Sequence, residues 1–76
     1  MPTFNYTVDD EPQSTDLHQM TPVQILTNAG IDSASHYLVQ IEGHNKISYK
    51  DKPNEIIHMH QHMKFISVST GPTPVS

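Results

Sequence analysis

Cysteine, tryptophan and arginine are all missing from this chain of 76 residues. Without cysteine there are no disulfide staples, zinc-thiolate sites, iron–sulfur clusters or thiol catalysis, so the fold rests on packing alone. Without arginine there is no bidentate reader of phosphate or guanine. The four lysines, Lys46, Lys50, Lys52 and Lys64, are too few for a strong phosphate footprint. Eight acids leave a net charge of −4, which disfavours nucleic acid as a partner and suits a basic protein surface. Long apolar runs are lacking too: none nears the ~20 residues of a membrane span. The start MPTFNYTV has no signal-peptide layout, so a soluble cytoplasmic protein without a membrane partner is expected. Glycines are few, and Gly30, Gly43 and Gly71 are too scattered for a phosphate or dinucleotide loop. No nucleophile motif occurs, so neither catalysis nor a cofactor is expected. At 34% hydrophobic content the chain is one small domain in which every large apolar side chain counts.

What is present begins with a helix that spells out both its ends, from Met20 to Ile31. Thr21 suits the N-cap, Pro22 the first helical position, and Gln24 completes a capping box. Met20 and Ile25 stand where a hydrophobic staple belongs. Gly30 supplies a left-handed exit, and Ile31 beyond it can fold back on the last turn.

Around the helix the pattern is that of strands. Phe4, Tyr6 and Val8 alternate on one face of a first strand, and Asp9 to Pro12 reads as a turn. Gln13 to His18 returns with Thr15 and Leu17 on a common face, giving an opening hairpin. After the helix, His36 to Glu42 places Tyr37, Val39 and Ile41 on one side, with Leu38 opposite. Gly43-His44-Asn45 turns the chain, and Lys46 to Lys50 forms a short strand with Ile47 and Tyr49 inward. Ile56 to His60 has no clear form. Met63 to Ser69 is a final strand, with Ile66 and Val68 on one face and Met63 and Phe65 on the other, so a bulge or a strand covered on both sides is expected. Residues 1–70 thus read as one domain and 71–76 as an extended tail stiffened by Pro72 and Pro74.

A hairpin, one helix and further strands make an α+β chain, for which the β-grasp, in ββαββ order with a mixed sheet, one short helix and an extended C-terminal tail, is one candidate. The residues narrow the choice. Thr21-Pro22-x-x-Ile25-Leu26-x-x-Ala29-Gly30-Ile31-Asp32, then His36-Tyr37-Leu38-Val39 and Met63-Lys64-Phe65-Ile66-Ser67-Val68, resemble the bacterial multiubiquitin domain over nearly the whole chain. That resemblance implies a ubiquitin-like protein modifier of a bacterial ubiquitination-like operon, pathways of a kind linked to phage defence. Its partners would be an activating enzyme, a conjugating enzyme, a processing or deconjugating peptidase and target proteins. The C-terminal carboxylate would be adenylated, passed on as an activated ester or thioester, and joined to a target.

Ubiquitin ends in Gly-Gly, whereas this chain ends in Pro-Val-Ser. The expected conjugation terminus is Ser76, presented by Gly71, Pro72, Thr73, Pro74 and Val75, with Gly71 as the alternative end after trimming. Trimming there would mean cleaving a Gly-Pro bond, which lacks the N–H most peptidases engage. A non-covalent β-grasp binding module and a sulfur carrier are the alternative functions. In ubiquitin an apolar patch on the exposed sheet face docks partners; here Leu38 with Phe65 is a candidate, unless the Ile56 to Met63 segment covers it.

His58, His60 and His62 recur at every second position, and in an extended strand would lie on one face about 7 Å apart. Such a row can bind zinc, copper or nickel, but no carboxylate or thiol adjoins it, and a solvated polar edge is the plainer expectation. Asp9, Asp10 and Glu11 read as solvated turn acids.

Overall fold

A computed structural model describes residues 3–70. Seven strands and one helix follow in the order β1 (Phe4–Val8), β2 (Glu11–Thr15), β3 (Gln19–Met20), α1 (Pro22–Asn28), β4 (His36–Glu42), β5 (Asn45–Ser48), β6 (Ile57–His58) and β7 (Met63–Ser69). Five of them form a mixed sheet in the order β2-β1-β7-β4-β5, and β3 pairs with β6 as a separate ribbon. β1 and β7 run parallel at the middle of the sheet, while the other neighbours are antiparallel. Tyr37, Val39 and Ile41 were expected to share a face, and they do; the residue opposite them, Leu38, is the one that enters the core.

The helix forms as its sequence dictates. The Thr21 hydroxyl accepts from the Gln24 N–H at 3.2 Å and the Gln24 side chain accepts from the Thr21 N–H at 2.9 Å, a complete capping box. Met20 and Ile25, the staple pair, are both buried in the core. At the other end Gly30 takes φ +78°, and the Gly30 and Ile31 N–H groups donate to the Thr27 and Leu26 carbonyls. This pair of bonds is a Schellman motif, and it closes the helix after two turns, at Asn28.

The opening hairpin turns more tightly than expected. Val8 pairs with Glu11, so only Asp9 and Asp10 form the loop, at φ 53° and 67°. Two consecutive left-handed residues are what a type I′ turn requires, and aspartate tolerates that conformation better than most side chains. β2 therefore spans Glu11–Thr15 instead of continuing to His18. The Asp9 carboxylate accepts from the Ser67 N–H at 2.8 Å and from its hydroxyl at 2.5 Å, and the Asp9 N–H donates to the Phe65 carbonyl. Lys64 lies 3.8 Å from Asp10 across the same corner. Asp9 thus fastens the hairpin to β7, while Asp10 and Glu11 stay exposed as solvated turn acids.

One face of the sheet is covered. Tyr6 and Val8 from β1, Leu38 from β4 and Met63 and Phe65 from β7 pack against Ile25 and Leu26 of the helix and Met20, Ile57 and Met59 around the ribbon. Tyr6 and Phe65 meet edge to face, with ring centres 5.9 Å apart. The segment from Ile56, without clear form in sequence, enters this core through Ile57 and Met59. Among the described residues no helix is long and apolar enough to cross a membrane.

The Tyr6 hydroxyl is buried and meets no partner in hydrogen-bond geometry. Burial pushes it above the ordinary tyrosine value, an effect the neighbouring Asn28 side chain offsets only in part. The folded state therefore holds this proton more tightly than the unfolded chain, so stability is intact below about pH 10 and falls as the pH climbs past it. Tyr6→Phe should leave stability unchanged or raise it by about 1–2 kcal/mol, since only an unpaired polar group is lost. It should also move the alkaline unfolding midpoint upward, as followed by circular dichroism. At the hairpin, Asp10→Gly should stabilise by about 0.5–1 kcal/mol and Asp9→Ala should destabilise by about 2–3 kcal/mol in urea unfolding.

Candidate functional site

The alternation along β4 and β7 sorts their side chains onto two faces. Leu38 pairs with Ser67 and Gln40 with Phe65 on the helix side, while Tyr37 pairs with Val68, Val39 with Ile66 and Ile41 with Lys64 on the other. Leu38 and Phe65 are each 0% exposed. The candidate patch of these two is therefore not exposed; the alternative holds, in which the Ile56 to Met63 segment covers them, through Ile57 and Met59 together with the helix. What the structure offers instead is the opposite face. Tyr37, Val39, Ile41, Ile66 and Val68 form an apolar stripe over the two central strands, and none belongs to the core cluster.

Val39 is buried between its neighbours, and the other four are half-buried. Among the described residues no helix or strand is packed on this face, since α1 and the β3/β6 ribbon both contribute to the core on the other side. β7 is thus not covered on both sides, and six of its seven residues, 64–69, run without a break in register opposite β4. The stripe was hidden in the sequence because alternation along β4 points the other way: Tyr37, Val39 and Ile41 form its apolar phase, whereas the phase that turns to the helix holds only Leu38 among His36, Gln40 and Glu42. The signal that could have found it lies in β7, where Met63 and Phe65 are the bulkiest pair and claim the core, leaving Ile66 and Val68 outside.

Three of the four lysines ring the stripe. Lys64 and Lys46 flank Ile41 in one row across β7, β4 and β5. The Lys50 ammonium stands over the Tyr37 ring, 5.9 Å from its centre. The single carboxylate of β4, β5 and β7 lies on the other side: Glu42 is in phase with Leu38 and Gln40. Tyr49, packed against the core, has its hydroxyl held above the usual value first by burial, then by Glu55 and Glu42 nearby.

At the end of β7, His36 pairs with Ser69 and the Thr70 N–H donates to the Ser35 carbonyl at 2.8 Å. The backbone is therefore held up to the last described residue. Beside it opens a cavity of about 230 Å³ lined by Pro22, Leu26, Tyr37, Leu38, Tyr49 and Thr70 among others. Gly71, Pro72, Thr73, Pro74, Val75 and Ser76, the expected tail and terminus, lie outside the described residues.

The histidine row does not form. β6 ends at His58, which faces Gln19 with 3.5 Å between ring and amide nitrogens, and His62 turns back at φ 64° to donate its N–H to Asn5. A row on one face needs an unbroken strand from 58 to 62, and the turn at Gln61-His62 breaks it. Among the described residues no group of three metal-ligating side chains converges.

Compared with protein-family models, with curated proteins and with solved structures, the chain gives no match.

The two faces should respond differently to substitution. Leu38→Ala should cost about 2–5 kcal/mol and Phe65→Ala about 3–5 kcal/mol in urea unfolding. Ile41→Thr and Ile66→Thr, on the open face, should each cost less than about 1 kcal/mol.

Proposed function

We propose that this chain is a ubiquitin-like protein modifier with a β-grasp fold. A hairpin followed by one helix laid across a mixed sheet, with the first and last strands parallel at its centre, supports the β-grasp reading. The observation that carries the functional reading is the anchoring of β7. This central strand ends at Ser69, and Thr70 is fixed to Ser35, so whatever follows starts from a rigid point at the margin of the domain.

In this reading the carboxylate of Ser76, or of Gly71 after trimming, attacks the α-phosphate of ATP on an activating enzyme. Pyrophosphate leaves, and the acyl adenylate then loses AMP to an enzyme nucleophile before transfer through a conjugating enzyme to a target. The chain supplies the carboxylate and the docking surface; the partner enzymes supply the catalysis. The lysine-ringed stripe on β4 and β7 is the surface of this chain best suited to such partners, because it is apolar at its centre and uncovered among the described residues.

Incubation of the full chain with an adenylating activating enzyme and ATP, followed by intact-mass spectrometry, tests the proposal. A C-terminal adenylate or a covalent enzyme adduct is the expected product. A gain of one sulfur for one oxygen would identify a sulfur carrier, and tight binding without any mass change would identify a non-covalent module. Deleting Thr73 to Ser76 should leave urea unfolding unchanged and abolish attachment; persistent attachment would move the reactive end to another site.

A further inference from the structure

The two edges of the five-stranded sheet are not equivalent. At the β2 edge, the two-residue loop makes Val8 and Glu11 a hydrogen-bonded pair, so Pro12, opposite Thr7, turns its nitrogen outward. Proline has no N–H to offer there, and that edge is blunted for pairing with another strand.

The β5 edge carries no such block. Glu42 pairs with Asn45 around Gly43-His44, with Gly43 at φ +57°. The hydrogen-bonded pairs then run Glu42 with Asn45, Gln40 with Ile47, and Leu38 with Tyr49, the last marked by the Tyr49 N–H donating to the Leu38 carbonyl at 2.9 Å. Lys46 and Ser48 fall between these pairs, so their N–H and C=O groups point away from β4. All four residues of β5 are exposed, and Ile47 keeps 38% of its surface in contact with solvent.

The side chains around this edge are sorted by face. Lys46 and Lys50 stand on the open face beside Ile41 and Tyr37, whereas Ile47 and Tyr49 lie on the helix side. A strand added antiparallel to β5 would set residues opposite Lys46 and Ser48 on the lysine face, and a residue opposite Ile47 on the other. We propose that β5 is a docking edge for an extended partner segment in which acidic residues alternate with apolar ones. The backbone at Lys46 and Ser48 supplies the hydrogen bonds, Lys46 and Lys50 select the acids, and Ile47 covers the apolar residue between them. Of the acids near β5, Glu42 and Glu55 stand close to Tyr49 on the helix side, away from Lys46 and Lys50, and Asp51 follows Lys50 in the chain; the other acids bear less on this edge. Asp9, Asp10, Glu11 and Asp16 belong to the hairpin and the segment after it, at or beyond the far edge of the sheet. The proposal concerns binding at β5 and stands apart from the chemistry proposed for the C-terminal carboxylate.

The test titrates the isotope-labelled full chain with the peptide Glu-Val-Glu-Val-Glu-Val-Glu, read by amide NMR shifts and hydrogen exchange. Saturable binding is expected, with shifts centred on Lys46–Lys50 and slowed exchange at the Lys46 and Ser48 amides. Methylating the glutamate backbone nitrogens, which face β5 in this register, should weaken binding at least tenfold on the unaltered protein. Methylating the valine nitrogens, which face away, should change it less than twofold. The double variant Lys46→Gln/Lys50→Gln should also bind at least tenfold more weakly, and binding to the unaltered chain should fall as salt is raised. Equal binding of Lys-Val-Lys-Val-Lys-Val-Lys would overturn the proposal, as would no binding at millimolar peptide. So would shifts centred on Val39 and Ile66 without amide protection, which would mean docking on the face. Concentration-dependent shifts of β5 in the chain alone would assign the edge to a second copy and likewise overturn it.

Discussion

The parallel pairing of β1 with β7 is the constraint on which the rest of the fold depends. It joins residues more than fifty positions apart, Tyr6 with Met63 and Val8 with Phe65, and it places the two aromatic rings edge to face at the centre of the core. Every other element is positioned from that pair. β2 hangs on β1, β4 and β5 extend from β7, and the helix and the β3/β6 ribbon cover the side where Tyr6 and Phe65 stand. A pairing with so long a loop carries a large closure entropy, which local structure alone does not repay. The Asp9 carboxylate on Ser67 reinforces the junction where this cost is met, binding the first turn to the last strand.

The parts of this structure legible in sequence are those decided within a few residues. The helix caps were readable because each bond of the capping box and of the Schellman motif links residues within one turn or so. The facing of β4 was misleading in sequence, because Tyr37, Val39 and Ile41 make the more apolar phase, yet Leu38 from the other phase meets Ile25 and Leu26, which lie beyond any local window. The ribbon escaped for a related reason: two residues per strand leave no period, and Met20 finds Ile57 only once the fold is closed. For the candidate site, Ile66 and Val68 were correctly set apart from Met63 and Phe65. The stripe they complete with β4 appeared only with the register between the strands.

Charge is distributed along the same division. The lysines at 46, 50 and 64 gather on the uncovered face, although the molecule is acidic as a whole, because alternation in β4 sends Glu42 to the helix side while β5 and β7 turn their lysines to the other. Net charge therefore describes the surface poorly here. The reading of an acidic surface suited to a basic partner applies to the hairpin end, while the β4/β5 half presents cations around apolar side chains.

Pro12 sits, like Ser14, at a position of β2 whose N–H would face outward, where its absence costs the hairpin nothing and a neighbouring chain a hydrogen bond. A sheet that accepts a strand at one border and refuses it at the other can be lengthened once, and cannot serve as a template for endless stacking. Two copies meeting border to border would form a closed pair, never a fibre. For a small domain rich in strands, that single ring closes the main route from exposed backbone to aggregation.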